Sequence, residues 1–187
     1  MLNLSEFHQI YARHPQIEAL TLWAATHEPN LKISGLCGSS LSLVVAAFSH
    51  KTGKNHVFVM NDADEAGYLY NDLRQILSDQ KVLFFPSSYK KTIRLSQLDS
   101  SNEILRTEVL NRLTSSSSPA FVVTYPEAMM QKVISQQGFK KRTLKIKTGE
   151  TISIDFLAEL LTEYGFQRVD FVYEPGQFSI RGGIVDI

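Results

Sequence analysis

Short apolar runs alternate with helix-like segments along most of this chain, and that alternation restricts the fold more than any other feature. The runs "LKISGL", "HVFVM", "KVLFFP" and "PAFVVTYP" read as strands. Between and after them, "SSLSLVVAAFSH", "DADEAGYLYNDLRQIL", "NEILRTEVLNRL" and "EAMMQKV" read as helices, with Asp62 placed to cap the second of these. Strands this short, joined through helices, build a parallel sheet covered on both faces. Residues 4–26 add a leading helix, with Ser5 as its N-cap and Phe7, Ile10, Tyr11, Ile17 and Leu20 on helical spacing. Pro15 breaks it in two. "TSSSSP" at 114–119 is a surface connector.

The rhythm stops near residues 138–142. "KKRTLKIKTGE" sets Leu144 and Ile146 against Lys145 and Lys147, the alternation of a half-exposed strand. Ser153 can cap a helix carrying Ile154, Leu157, Leu160, Leu161 and Tyr164, with Gly165 as its stop. A hairpin follows in "RVDFVYEPGQFSIRGGIVDI". The expected fold class is therefore α/β in two parts. Residues 1–140 form a parallel sheet with helices on both faces, and residues 141–187 begin a small antiparallel α+β domain, incomplete at its C-terminus.

The 187 residues leave room for one ordinary domain and a second small or incomplete one. Nineteen basic side chains balance nineteen acidic ones, so no global field draws the chain to nucleic acid or membrane. The single cysteine, Cys37, excludes an internal disulfide and fits a reducing, cytoplasmic setting. No apolar run approaches the roughly 18 residues of a membrane span, and "MLNLSEFHQIYARHPQ" lacks the pattern of a signal peptide.

"ISGLCGSSLSLVV" stands where a phosphate-binding loop would, after a strand and opening a helix. A working loop needs Gly-x-x-x-x-Gly-Lys-Ser/Thr, whose backbone amides wrap phosphate while the lysine neutralises it and the hydroxyl holds magnesium. Aligned on Gly35, the chain has Gly38 inside the loop, Ser40 for the second glycine, Leu41 for the lysine and Ser42 for the hydroxyl. Losing the lysine removes a charge-assisted contact worth roughly 1.5–3 kcal/mol even as one hydrogen bond. A vestigial loop is the expectation, with true nucleotide binding and an ordinary strand–helix turn as the other two readings, and the helix N-terminus could still hold a sulfate or phosphate weakly. No catalytic residue and no nucleotide or metal cofactor is expected in this chain; Cys37 and the five histidines show no metal-ligand spacing.

At the C-terminal end, Pro175 and Gly176 taken as central turn residues make Tyr173 face Phe178, Phe171 face Ile180 and Asp170 face Arg181. Alternation then puts Val169, Phe171, Tyr173, Phe178 and Ile180 on an apolar face and Arg168, Asp170, Val172, Ser179 and Arg181 on the other. Pro-Gly favours type II turns where tight hairpins want mirror-image ones, so a four-residue loop is the alternative, and a one-residue slip would reverse the faces. Gly182-Gly183 suggests a bulge beside Arg181. Arg168 and Arg181 are either a partner-binding pair, their guanidinium forks suited to carboxylates, or members of a solvated face with an Asp170–Arg181 ion pair. Phe178 is either core or interface. Lys140, Lys141, Arg142, Lys145 and Lys147 are either a nucleic-acid patch or a solvated strand face. Trp23 reads as a packing anchor, and Asp62 and Asp64 as helix-start acids.

Three stretches together carry a resemblance: "SGLCGSSLSLVVAAF", "FVVTYPEAMMQKV" and, most specifically, "YGFQRVDFVYEPGQFSIRGGIVDI". The chain resembles the N-terminal module of the bacterial transcription-repair coupling factors, itself similar to the excision-repair protein UvrB. The resemblance implies a degenerate RecA-like domain followed by a second domain that recruits UvrA, with Arg168 and Arg181 on the positions of that domain's UvrA-contacting arginines. It implies that the chain is the opening fragment of a longer, monomeric, cytoplasmic protein, cut inside the second domain. ATP and magnesium, the translocase, and the contacts to RNA polymerase and DNA belong to later regions of that protein. UvrB-like proteins keep the loop lysine and carry a long DNA-clamping hairpin after the third strand; here the lysine is Leu41, and the stretch from Ser87 to Asp99 is too short for such a clamp. The alternatives are a UvrB-type or helicase ATPase with a divergent loop, and a nucleic-acid-binding module.

Overall fold

The computed structural model describes residues 9–26, 30–77, 82–89, 100–115, 118–135, 137–138 and 143–187. Ser5, Phe7, Lys140, Lys141, Arg142 and most of Ser87–Asp99 lie outside them. The chain divides into two compact units, Met1–Ser87 with Leu105–Met130, and Ser88–Ile104 with Gln131–Ile187.

In the first unit helix α1 spans Pro15–Ala25. Pro15 occupies its first turn, where the missing amide costs nothing, and His14 caps it by accepting a bond from the Gln16 amide. The expected break at Pro15 is thus present. Helix α2 spans Ser40–Thr52 and stops at Gly53, whose left-handed φ of 61° few other residues accept. Strand β1 (His56–Val59) follows, then helix α3 (Ala63–Ile76), whose cap is Asp62: its carboxylate accepts from the amides of Asp64 and Glu65, 2.9 Å each. Strand β2 (Val82–Phe85), helix α4 (Ser100–Ser115, in this unit from Leu105 onward), strand β3 (Phe121–Thr124) and a single turn α5 (Pro126–Met129) complete the unit.

The three strands are parallel in the order β1-β3-β2. Every residue of central β3 is buried, so side-chain alternation feeds two cores. Phe121 and Val123 pack with Ala46 of α2 and with Ala66, Leu69 and Leu73 of α3. Val122 packs with Leu83 and with Val109 of α4. Helices therefore cover both faces of a parallel sheet, as the alternation predicted.

Two expected strands do not form. Residues 31–36 are irregular and exposed, and no described strand pairs with them. Residues 144–147 are likewise irregular and exposed; they run into a turn closed by Glu150 N–H donating to the Lys147 carbonyl and by Lys147 N–H donating to the Glu150 carboxylate. Alternation supplies side-chain faces but not the neighbouring backbone a strand needs. Two helix boundaries also shift. Helix α4 takes in Thr114 and Ser115 of the expected connector, and their hydroxyls bond back into its last turn. The segment read as "EAMMQKV" is helical only as far as Met129.

The second unit contains helix α6 (Ile154–Glu163), strand β4 (Gln167–Arg168), strand β5 (Gln177–Arg181) and strand β6 (Ile184–Asp186). Ser153 caps α6 through its hydroxyl, which accepts from Phe156 N–H. At the other end Gly165, at φ 85°, lets its own N–H reach the Thr162 carbonyl and Phe166 N–H reach that of Leu161. This paired bonding satisfies carbonyls the helix would otherwise orphan. Leu157 and Leu161 meet Phe178 in a small core.

The expected hairpin through Pro175-Gly176 is not there. Gly176 has φ 85° and Gln177 N–H reaches the Glu174 carbonyl at 3.3 Å, the signature of a type II turn, whose twist splays the strands it joins. The residues before it are irregular, and β4 pairs with β5 in parallel, Arg168 beside Phe178. The antiparallel hairpin is instead β5–β6, with Gly182-Gly183 as its two-residue turn and Ser179 opposite Asp186. The double glycine is a turn and not a bulge.

One titratable group is placed to couple this fold to pH. His56 is half-buried, its Nε2 is 2.5 Å from the Thr52 hydroxyl, and its ring meets the edge of Phe48 at 5.3 Å. Burial, with Lys54 nearby, lowers its pKa from 6.5, so the folded chain favours the neutral ring. Its contribution to stability is full above 6.5 and is lost as pH falls from 6.5 through the folded value. Melting between about pH 7 and pH 5 should therefore drop less for His56→Gln than for the parent chain; equal drops would show that His56 is not the group responsible.

Candidate functional site

In the loop expected to be a vestigial phosphate site, Gly35 and Gly38 adopt left-handed φ values of 89° and 53°. The Ser40 hydroxyl is spent locally, accepting from Cys37 N–H at 2.8 Å and donating to the Cys37 carbonyl at 2.7 Å. Leu41 is half-buried. Ser42 is only 4% exposed and its hydroxyl donates to the Asp72 carboxylate of α3 at 2.6 Å. The Ser42 hydroxyl therefore ties α2 to α3. Asp72 also places a carboxylate against the first turn of α2, a helix with no acidic residue of its own there.

The C-terminal residues form a different kind of site. Strand alternation sends Phe178 and Ile180 toward α6 and puts Ser179 and Arg181 on the opposite face. Phe178 is 0% exposed, so it belongs to the core and offers nothing to a partner directly. Arg168 is exposed, and the parallel register sets it beside Phe178, not on the Arg181 face. The two arginines thus do not share one face of a hairpin.

Arg181 pairs with Asp186 across β5–β6, where an Asp170 partner was expected. Its side chain stays 52% exposed, and its guanidinium lies 5.2 Å from the Phe171 ring centre. Phe171 and Tyr173, expected in the core, are 57% and 84% exposed, with ring centres 6.5 Å apart. Residues 169–176 turn their aromatics to the Arg181 face because Ser179, buried on that face, donates its hydroxyl to the Asp170 carbonyl at 2.8 Å. Asp72, Phe171 and Asp186 were all missed from sequence. For Asp186 a signal existed: a two-residue Gly-Gly turn places Asp186 opposite Ser179, one diagonal step from Arg181.

The small α+β unit thus carries an exposed arginine flanked by exposed aromatic rings. The family model of the UvrB interaction domain matches residues 144–187. Over 156 residues the chain is 32% identical to a transcription-repair-coupling factor of Bacillus subtilis, covering 83% of this chain and 13% of that protein. It is 26% identical over 161 residues to one of Staphylococcus epidermidis (86% and 14%) and 28% over 145 residues to one of Rickettsia bellii (76% and 13%). Residues 144–187 thus match the UvrB interaction domain, and the chain is similar to the transcription-repair-coupling factors along most of its length. It spans only 13% to 14% of those relatives. Among the described residues, no helix is long and apolar enough to cross a membrane.

Proposed function

We propose that this chain is the adaptor module with which a transcription-repair coupling factor recruits UvrA to RNA polymerase stalled at DNA damage. The observation that carries the proposal is the match of residues 144–187 to the UvrB interaction domain, on the segment that exposes Arg181. The module itself is catalytically silent; ATP-driven translocation and the contacts to RNA polymerase and DNA belong to regions this chain does not contain. Leu41 and the Ser42–Asp72 bond count against the competing reading of a divergent ATPase. Lys145 and Lys147 are exposed but carry no interleaved aromatics, which disfavours a nucleic-acid module.

Titration of purified UvrA into the chain and its Arg181→Ala variant tests the proposal. The variant should bind more weakly by about 2 kcal/mol, some 30-fold. Its melting point should scarcely move, since an exposed ion pair contributes under about 1 kcal/mol. Arg181→Lys should rescue binding only in part, because an ammonium lacks the planar fork. ATP in place of UvrA should show no saturation in the micromolar range. Normal UvrA binding by Arg181→Ala, with a melting point several degrees lower, would make Arg181 structural and end the proposal.

A further inference from the structure

We infer that Phe171 is a positioning residue for Arg181, its ring the platform that holds the guanidinium ready for a partner's carboxylate. The inference rests on the role proposed for Arg181 above. A phenyl ring more than half exposed gains little from burial, so its fixed place needs another cause. The loop supplies it. On one side of Phe171, the Asp170 carbonyl is held by the Ser179 hydroxyl. On the other, the Gln177 side-chain oxygen accepts from the amides of Tyr173 and Glu174, at 2.9 and 3.1 Å. Both anchors come from β5, the strand that carries Arg181.

Arginine is therefore gripped from two directions. Asp186 takes its Nη2, and the guanidinium carbon lies over the Phe171 ring at 5.2 Å, within the cation–π range of about 6 Å. Nε and Nη1 make no bond among the described residues and are the donors left for a carboxylate arriving from outside. A long side chain ordered before the encounter loses less freedom on binding, and one such side chain is worth roughly three- to tenfold in affinity. Tyr173 extends the apolar rim beyond Phe171, so the matching partner surface carries an acidic group with apolar neighbours.

A double-mutant cycle with purified UvrA tests this. Phe171→Ala should weaken binding about three- to tenfold on the parent background and add nothing on the Arg181→Ala background. Phe171→Trp should bind as the parent does, whereas Phe171→Leu, which keeps apolar bulk without a π face, should bind as poorly as the alanine variant. An equal loss on both backgrounds would mean that the ring touches UvrA on its own account and would overturn the positioning role. So would normal binding by Phe171→Ala where Arg181→Ala is weak. If Arg181→Ala itself binds normally, the adaptor surface is what has failed, and the role of Phe171 falls with it. Should the alanine variant melt several degrees lower, the contrast between Phe171→Leu and Phe171→Trp decides the matter at matched stability.

Discussion

Phe178→Ala should unfold the small unit at far milder conditions, with a loss of about 3–5 kcal/mol. Phe178 is fully buried against Leu157 and Leu161, with Ile152, Phe166, Ile180 and Val185 packed around them. A core this small cannot close over the cavity, so both the transfer and cavity terms apply. Phe178→Leu should cost less, because most of the volume stays. Amide exchange in α6 and β5 is the measurement to make, since it reports this unit separately. A loss below about 1 kcal/mol would mean that the unit is held by something other than this aromatic.

Arg106→Met should destabilise the larger unit by about 2–4 kcal/mol, through hydrogen bonds to a charged group and a desolvated cation–π contact. Arg106 is 4% exposed on α4; its Nη1 donates to the carbonyls of Pro86 at 2.7 Å and Ala128 at 3.3 Å, and its guanidinium lies 4.0 Å from the Phe85 ring centre. Those carbonyls lie just past β2 and in α5 after β3, so one side chain joins two crossings at the C-terminal edge of the sheet. Removing it leaves them facing a methionine. Arg106→Lys should be nearly as harmful, because an ammonium cannot lie flat on Phe85 and still serve both carbonyls. Burying an arginine also costs desolvation, and denaturant titration of the two variants weighs the two terms. A neutral Arg106→Met would show that the desolvation cost cancels the contacts.

What could be read from sequence was what the chain decides locally. Pro15, Asp62, Ser153 and Gly165 each act within one helical turn, and each does in the structure what its residue type predicts. The βα rhythm was legible for the same reason, since buried parallel strands advertise themselves as short apolar runs. Strand pairing is decided elsewhere in the chain, and there the reading failed. "LKISGL" and Leu144–Lys147 have strand-like alternation without a described partner. The C-terminal hairpin turned on a choice between two turn dipeptides, Pro-Gly and Gly-Gly, and only the second has the twist a tight hairpin needs. That choice moved Phe171 from the core to the Arg181 surface. Arg106 left no trace in sequence at all, because its acceptors lie about twenty residues away on either side.

Strand β5 gives successive residues three separate duties, and this limits how the chain can drift. Phe178 fills the core, Ser179 ties down the aromatic loop, and Arg181 stands outside. A substitution of Arg181 leaves the core duty of Phe178 intact, whereas one at Ser179 reaches Arg181 through the aromatic loop. A length change cannot be absorbed that way. One residue inserted between Phe178 and Ser179 would turn the arginine toward α6 and cost the loop its Ser179 anchor. A length change in the exposed turn at 174–176 spares the core but breaks the bonds from the Tyr173 and Glu174 amides to Gln177, so its cost falls on the aromatic loop. The spacing from Phe178 through Asp186 is a fixed ruler for the core and for the Arg181 pair alike.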